Sequence, residues 1–193
     1  SEPFCGHFGI GGMKGGTQML EFFFKRLGIQ SISNVALNEI RPGEVELEDG
    51  KVLPAKIAMF IPPFTGVSVV RDTPDLGDAK GFIPTDPTYR HKTFKNIYAA
   101  GVAVTVQVPW VTPVATGIPK TGFPAEIMAK IAAHNIAAEI KGEEPKEEKA
   151  FGDMPAMCVM DAGNMGVMIL GDKMLPPRKF EAVIPGPQAH WAK

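Results

Sequence analysis

Asn96-Ile-Tyr-Ala-Ala-Gly-Val-Ala-Val104 is the stretch on which the reading of the fold turns. It is apolar along its length and runs into Gly101, so 96–106 reads as a strand buried on both faces and closed by a turn. On its C-terminal side lies a loop rich in proline, threonine and glycine (109–122), and then a long helix over 123–140. Phe123, Ile127 and Ile131 recur on one stripe of that helix, and Gly142 supplies its stop. On its N-terminal side, residues 64–95 hold Pro74, Gly77, Pro84 and Pro87 and read as loop. Before them, the short apolar run 57–61 reads as another buried strand, ended by Pro62-Pro63.

Further out the pattern changes. Residues 31–37 read as a strand, and 44–48 alternate with Val45 and Leu47 on one face before the turn signal Asp49-Gly50. A helix is predicted over 17–27, with Met19, Phe23 and Leu27 four residues apart and Gly28 at its end. Past the long helix, 143–149 is a charged linker expected to be solvated surface. Residues 157–160 and 167–170 read as paired strands, and a last strand is predicted over 180–184. Helices interleaved with strands imply an α/β protein.

Composition is that of an ordinary globular chain of 193 residues, 45% apolar and 21% charged. A net charge of −1 provides no general electrostatic case for nucleic acid. No apolar run reaches the length needed to span a bilayer, and no signal-peptide pattern opens the chain. Two cysteines, Cys5 and Cys158, do not make a secreted disulfide scaffold.

Four features carry candidate chemistry. The glycine-rich loop 6–16 could cradle a phosphate at a helix N-terminus, although Lys14 stands where strict G-x-G-x-x-G spacing requires glycine. The bland alternative is a tight turn with no ligand. Such a loop normally follows a buried strand, and only five residues precede Gly6, so the chain is expected to begin inside a domain. Ala100-Gly101 would let backbone reach a flavin's ribityl or phosphate group, with Val102 where many flavoproteins carry aspartate. Lys120, at the start of the long helix, adds a full positive charge to the helix dipole, an arrangement suited to negative charge on a reduced flavin. Cys158 sits in an apolar strand, either as a small buried hydrophobe or as a redox thiol.

Together these stretches resemble the sulfide:quinone oxidoreductase family. Glu2-Pro-Phe-Cys-Gly-His-Phe-Gly-Ile-Gly-Gly is similar to the loop of the family's second nucleotide-like domain, and Pro54-Ala-Lys-Ile-Ala-Met-Phe-Ile-Pro-Pro-Phe to its next strand. The stretch 96–104 matches the family's second flavin motif, in which valine follows the glycine. Thr112-Pro-Val-Ala-Thr-Gly-Ile-Pro-Lys-Thr-Gly and the helix bearing Ala133-His134-Asn135 complete the likeness.

The resemblance implies the C-terminal half of an FAD-dependent flavoprotein of the disulfide reductase type: a partial Rossmann-like α/β fold with a three-stranded β-meander. Residues 1–85 would belong to the second, NAD-like domain. Residues 86–193 would hold the C-terminal part of the FAD domain and the start of the C-terminal region. Sulfide would be oxidised to polysulfide or sulfur through a redox cysteine pair and FAD, and a membrane quinone reduced. Cys158 would be the C-terminal cysteine of that pair. Gly101, Val102, Lys120 and Thr121 would contact FAD, and no metal is implied. His7 and His134 fall where the family has histidines, with a structural role weighed against a proton role, and Cys5 reads as structural. Peripheral attachment to the cytoplasmic membrane and homo-oligomerisation are implied for the full-length protein. The chain alone is expected to hold no FAD and to be inactive. Alternatives are the flavoprotein of a flavocytochrome c sulfide dehydrogenase, a relative of type II NADH dehydrogenases, and a non-catalytic assembly module.

Overall fold

The computed structural model describes residues 12–107, 109, 111, 114, 120–161 and 165–191. Cys5, His7, residues 6–11 of the glycine loop and most of 112–119 lie outside the described residues.

Helix α1 spans Gly16–Leu27, and Gly28 ends it in the left-handed conformation with its N–H on the Lys25 carbonyl. This is the predicted glycine stop. A first meander comes next: β1 (Leu37–Arg41), β2 (Glu44–Leu47) and β3 (Val52–Pro54), all antiparallel. Pro42-Gly43 turns β1 into β2 with Gly43 at φ +84°, and Gly50 at φ +82° sits in the second turn. Both are positions that favour glycine. The predicted strand over 31–37 does not form; Asn34 takes a left-handed conformation and pairing begins at Leu37.

The strand predicted over 57–61 is also absent. Ile57 is 92% and Met59 89% exposed, with no strand neighbour among the described residues. An apolar strand is defined by what pairs with it and covers it, and local sequence supplies neither. Residues 64–95 are loop as predicted, apart from the one-turn helix α2 (Ser68–Arg71). The stretch 96–106 is not one strand. Tyr98 bridges Arg90, Val104 bridges Ile83 in parallel, and a 3₁₀ turn at Gly101–Ala103 separates them. Gly101 at φ +68° takes the chain out of the extended region there.

Helix α3 spans Gly122–Ile140. After it, β4 (Ala156–Asp161), β5 (Gly166–Gly171) and β6 (Glu181–Gly186) form the second antiparallel meander, and α4 (Pro187–Trp191) packs on it. One core joins the parts: Met128, Ile131 and Ala132 of α3, Val167 and Ile169 of β5, Val104, and Met13 just ahead of α1. Arg178, its guanidinium buried, ties the β5–β6 connection through the carbonyls of Lys173 and Met174.

Two buried polar side chains tie the loops to this core. Asn135 donates to the carbonyls of Thr88 (3.2 Å) and Glu147 (2.7 Å) and accepts from the Glu147 N–H (3.0 Å). The charged linker 143–149 is therefore pinned by its backbone, while most of its side chains remain exposed. Tyr89, in a left-handed conformation at φ +63°, donates its phenol to the Lys149 carbonyl, and burial pushes its pKa up to about 12.

His91 is fully buried. Its Nδ1 accepts from the N–H groups of Thr93 and Phe94, both at 2.9 Å, and its Nε2 lies 3.1 Å from the Leu76 carbonyl. Two donors facing Nδ1 and an acceptor facing Nε2 select the neutral Nε2–H tautomer. His91→Ala removes the partner of three backbone groups and empties a fully buried position, and is expected to destabilise the chain by about 1–3 kcal/mol in urea unfolding. A loss under about 0.5 kcal/mol would contradict this account.

Candidate functional site

The residues picked out by sequence fall into two groups on one scaffold. Gly101, Val102, Lys120 and Thr121 meet at the N-terminal end of α3, and Cys158 lies on β4. The first group forms because the Gly101 turn seats directly on the helix. A Cβ at Gly101 would stand 3.2 Å from the Cβ of Ala125, a tight contact, and the left-handed φ is one that side chains rarely adopt. The Gly101 N–H donates to the Met128 sulfur at 3.0 Å. This glycine thus serves close packing of turn on helix, and its amide is engaged within the protein.

Lys120 locks the same turn from the other side. Its Nζ donates to the carbonyls of Val102 (2.8 Å) and Val104 (2.5 Å), leaving one of its three N–H donors. The ammonium also lies 4.3 Å from the centre of the Phe82 ring, a cation–π contact. Burial lowers the Lys120 pKa, opposed by the charge of Asp78. Asp78 is held by the Thr105 hydroxyl (2.9 Å) and by the N–H groups of Lys80 (2.9 Å) and Phe82 (3.0 Å).

Thr121 occupies the N-cap of α3 but makes no side-chain cap, and no acidic residue lies in the first turn. The helix end keeps its partial positive charge beside a partly buried ammonium. Nothing in the described fold neutralises that pair on the helix itself, and this is the electrostatic setting an anionic ring edge or phosphate requires.

Cys158 is half-buried on β4, paired with Ile169 and packed against the core that contains Met128 and Ile131. The β4 alternation turns Cys158 and Met160 toward that core, and Met157 and Val159 outward. Burial pushes the Cys158 thiol above its ordinary value. A buried neutral thiol is a poor nucleophile. His134 is exposed on α3. Phe82 and Asp78, which hold Lys120, were not legible as site residues. The run Asp78-Ala-Lys-Gly81 marks only a turn.

No protein-family model matches the chain. A curated sulfide-quinone reductase from Aquifex aeolicus is 35% identical over 199 aligned residues, covering all of this chain and 46% of that protein. The crystal structure of the sulfide:quinone oxidoreductase from the same bacterium superposes with a TM-score of 0.89 at 32% identity, over 98% of this chain and 45% of that one. The chain resembles the C-terminal half of a sulfide:quinone oxidoreductase. It spans less than half the length of these relatives. The α/β assignment rests on the same superposition, with both meanders antiparallel. An NAD-dependent persulfide reductase from A. fulgidus, 16% identical with a TM-score of 0.54, shares the fold alone. No helix among the described residues is long and apolar enough to cross a membrane.

Two measurements probe this geometry. Gly101→Ala is expected to cost about 1–3 kcal/mol in unfolding free energy, since it adds both φ strain and a clash at Ala125; a neutral variant would mean that the turn is not seated as described. Iodoacetamide near neutral pH should alkylate Cys158 in the native chain about tenfold or more slowly than an unhindered thiol peptide. The rate should climb only above the ordinary thiol range, because burial disfavours the thiolate. Equal rates would refute the buried, unactivated thiol.

Proposed function

We propose that this chain is the C-terminal half of a sulfide:quinone oxidoreductase, a flavoprotein that takes two electrons from sulfide and passes them to a quinone. The supporting observation is the whole-chain match to the Aquifex protein in both sequence and backbone. In net terms hydrogen sulfide is oxidised to the level of sulfur, with release of two protons and two electrons. The quinone takes up two electrons and two protons to become a quinol. FAD supplies the two-electron carrier between these halves.

The roles of this chain's residues derive from their chemistry. Lys120 and the open N-terminus of α3 hold a positive field where negative charge develops on a reduced flavin ring, and the Lys120 clamp keeps the 101–104 turn in place beneath it. Val102, half-exposed and free of charge, presents an apolar surface on that turn. Thr121 offers a hydroxyl at the helix start that makes no cap. Cys158 carries the sulfur relay as one partner of a cysteine pair, the other lying in the rest of the polypeptide. Its raised pKa keeps the thiol protonated until a positive neighbour or the cofactor stabilises the thiolate.

In this reading residues 1–85 belong to the second nucleotide-like domain. Residues 86–193 hold the C-terminal part of the FAD domain and the start of the C-terminal region. The complete protein sits on one face of the cytoplasmic membrane as an oligomer. The purified chain alone is colourless, because a flavin held only at its ring edge lacks the phosphate contacts that anchor it.

The test uses the polypeptide at the full length of its relatives. Cys158→Ser should lower sulfide-dependent quinone reduction by about a hundredfold or more with the flavin retained. Lys120→Met should shift the flavin's reduction potential downward, as the reduced anion loses a cation. Full activity in Cys158→Ser would end the proposal.

A further inference from the structure

We infer that Asp78 and Thr105 are positioning residues for Lys120: the Thr105 hydroxyl and the 78–82 turn hold the Asp78 carboxylate near the ammonium but out of an ion pair with it. This rests on the function proposed above, in which Lys120 supports negative charge on a reduced flavin ring. It adds what keeps that cation unneutralised.

The backbone that receives Lys120 is held on both sides. The Gly101 carbonyl accepts from the Val104 N–H (3.2 Å) and the Ala103 carbonyl from the Ile83 N–H (2.7 Å), which leaves those of Val102 and Val104 for the ammonium. The Thr105 N–H donates to the Ile83 carbonyl at 2.9 Å. Residue 83 is thereby stitched to 103–105, and the neighbouring Phe82 ring lies over the ammonium.

Asp78 sits where these segments join. One carboxylate oxygen accepts from the N–H groups of Lys80 and Phe82, and the other from the Thr105 hydroxyl. Its own N–H donates to the Phe82 carbonyl at 2.7 Å and closes the turn. Burial pushes the Asp78 carboxyl up, but the hydrogen bonds from Phe82, Thr105 and Lys80 and the Lys120 charge bring it below its ordinary value. Asp78 and Lys120 thus act on each other by charge, with no hydrogen bond between them.

That separation matters chemically. A direct ion pair would take the last N–H of Lys120 and cancel its charge at contact. At longer range the same carboxylate offsets the desolvation of a partly buried ammonium and leaves that N–H for a ligand. Without the Thr105 hydroxyl, one Asp78 oxygen loses its donor, and an ammonium with an unused N–H is the stronger replacement.

The experiment uses the polypeptide at the full length of its relatives. Thr105→Val should lower the flavin's reduction potential, and Thr105→Ser, which keeps the hydroxyl, should hold it at the parent value. In a Lys120→Met background Thr105→Val should give no further shift, because its effect passes through the ammonium. An unchanged potential in Thr105→Val, a drop shared by Thr105→Ser, or a drop of the same size without Lys120 would each overturn the inference. A second measurement needs no flavin. Asp78→Asn should speed reductive methylation of Lys120 by formaldehyde and cyanoborohydride at least about threefold relative to Lys130, since the ammonium loses its offsetting charge and gives up its proton more readily. An unchanged ratio would overturn the inference as well. That acceleration in a polypeptide that binds no flavin and reduces no quinone with sulfide would defeat the proposed function and leave the Asp78–Lys120 linkage standing.

Discussion

The seating of the Gly101 turn on α3 is the constraint on which the rest of this structure depends. A side chain at position 101 would crowd Ala125 and would have to adopt a left-handed φ, so this close approach of turn to helix favours glycine. That approach puts the carbonyls of Val102 and Val104 within reach of the Lys120 ammonium. It also directs the Gly101 N–H onto Met128, at the centre of the hydrophobic core. Further along the same helix, Asn135 ties down the loop at Thr88 and the linker at Glu147. One helix thereby positions a cation, a turn and two loops.

Charge is distributed unevenly over the site. Lys120 is partly desolvated and has Asp78 nearby, while the α3 N-terminus has no carboxylate in its first turn. The positive side of the site is therefore built into this chain. Cys158 lies in a different setting: it packs among apolar side chains, and burial drives its thiol toward the neutral form. Burial is the influence that sets this thiol among the described residues, and it disfavours the thiolate.

Local signals were legible where a residue's own backbone demand sets the structure. Gly28 and Gly142 end their helices in left-handed conformations, and Asp49-Gly50 turns a hairpin, all visible as residue types at the right spacing. The paired strands β4 and β5 were legible as apolar runs joined by turn residues. Residues 31–37, 57–61 and 96–106 depart from their sequence reading for one common reason. Apolar composition says that a segment is covered, but not by what, and pairing partners are a property of distant chain. The hydrogen-bonding roles of His91 and Asn135 were not legible because their bonds run to backbone groups that only the folded loops bring near.

By itself the amino-acid order determined the helix limits, the tight turns and the resemblance through which Gly101, Val102, Lys120, Thr121 and Cys158 were singled out. These depend on backbone sterics and on spacing over a few residues. Only the tertiary structure revealed that Gly101 serves helix packing, that Lys120 clamps the turn over Phe82, and that Cys158 is turned toward the core. Each of those depends on groups far apart in the chain meeting within a few ångströms, where desolvation and close contact set their chemistry.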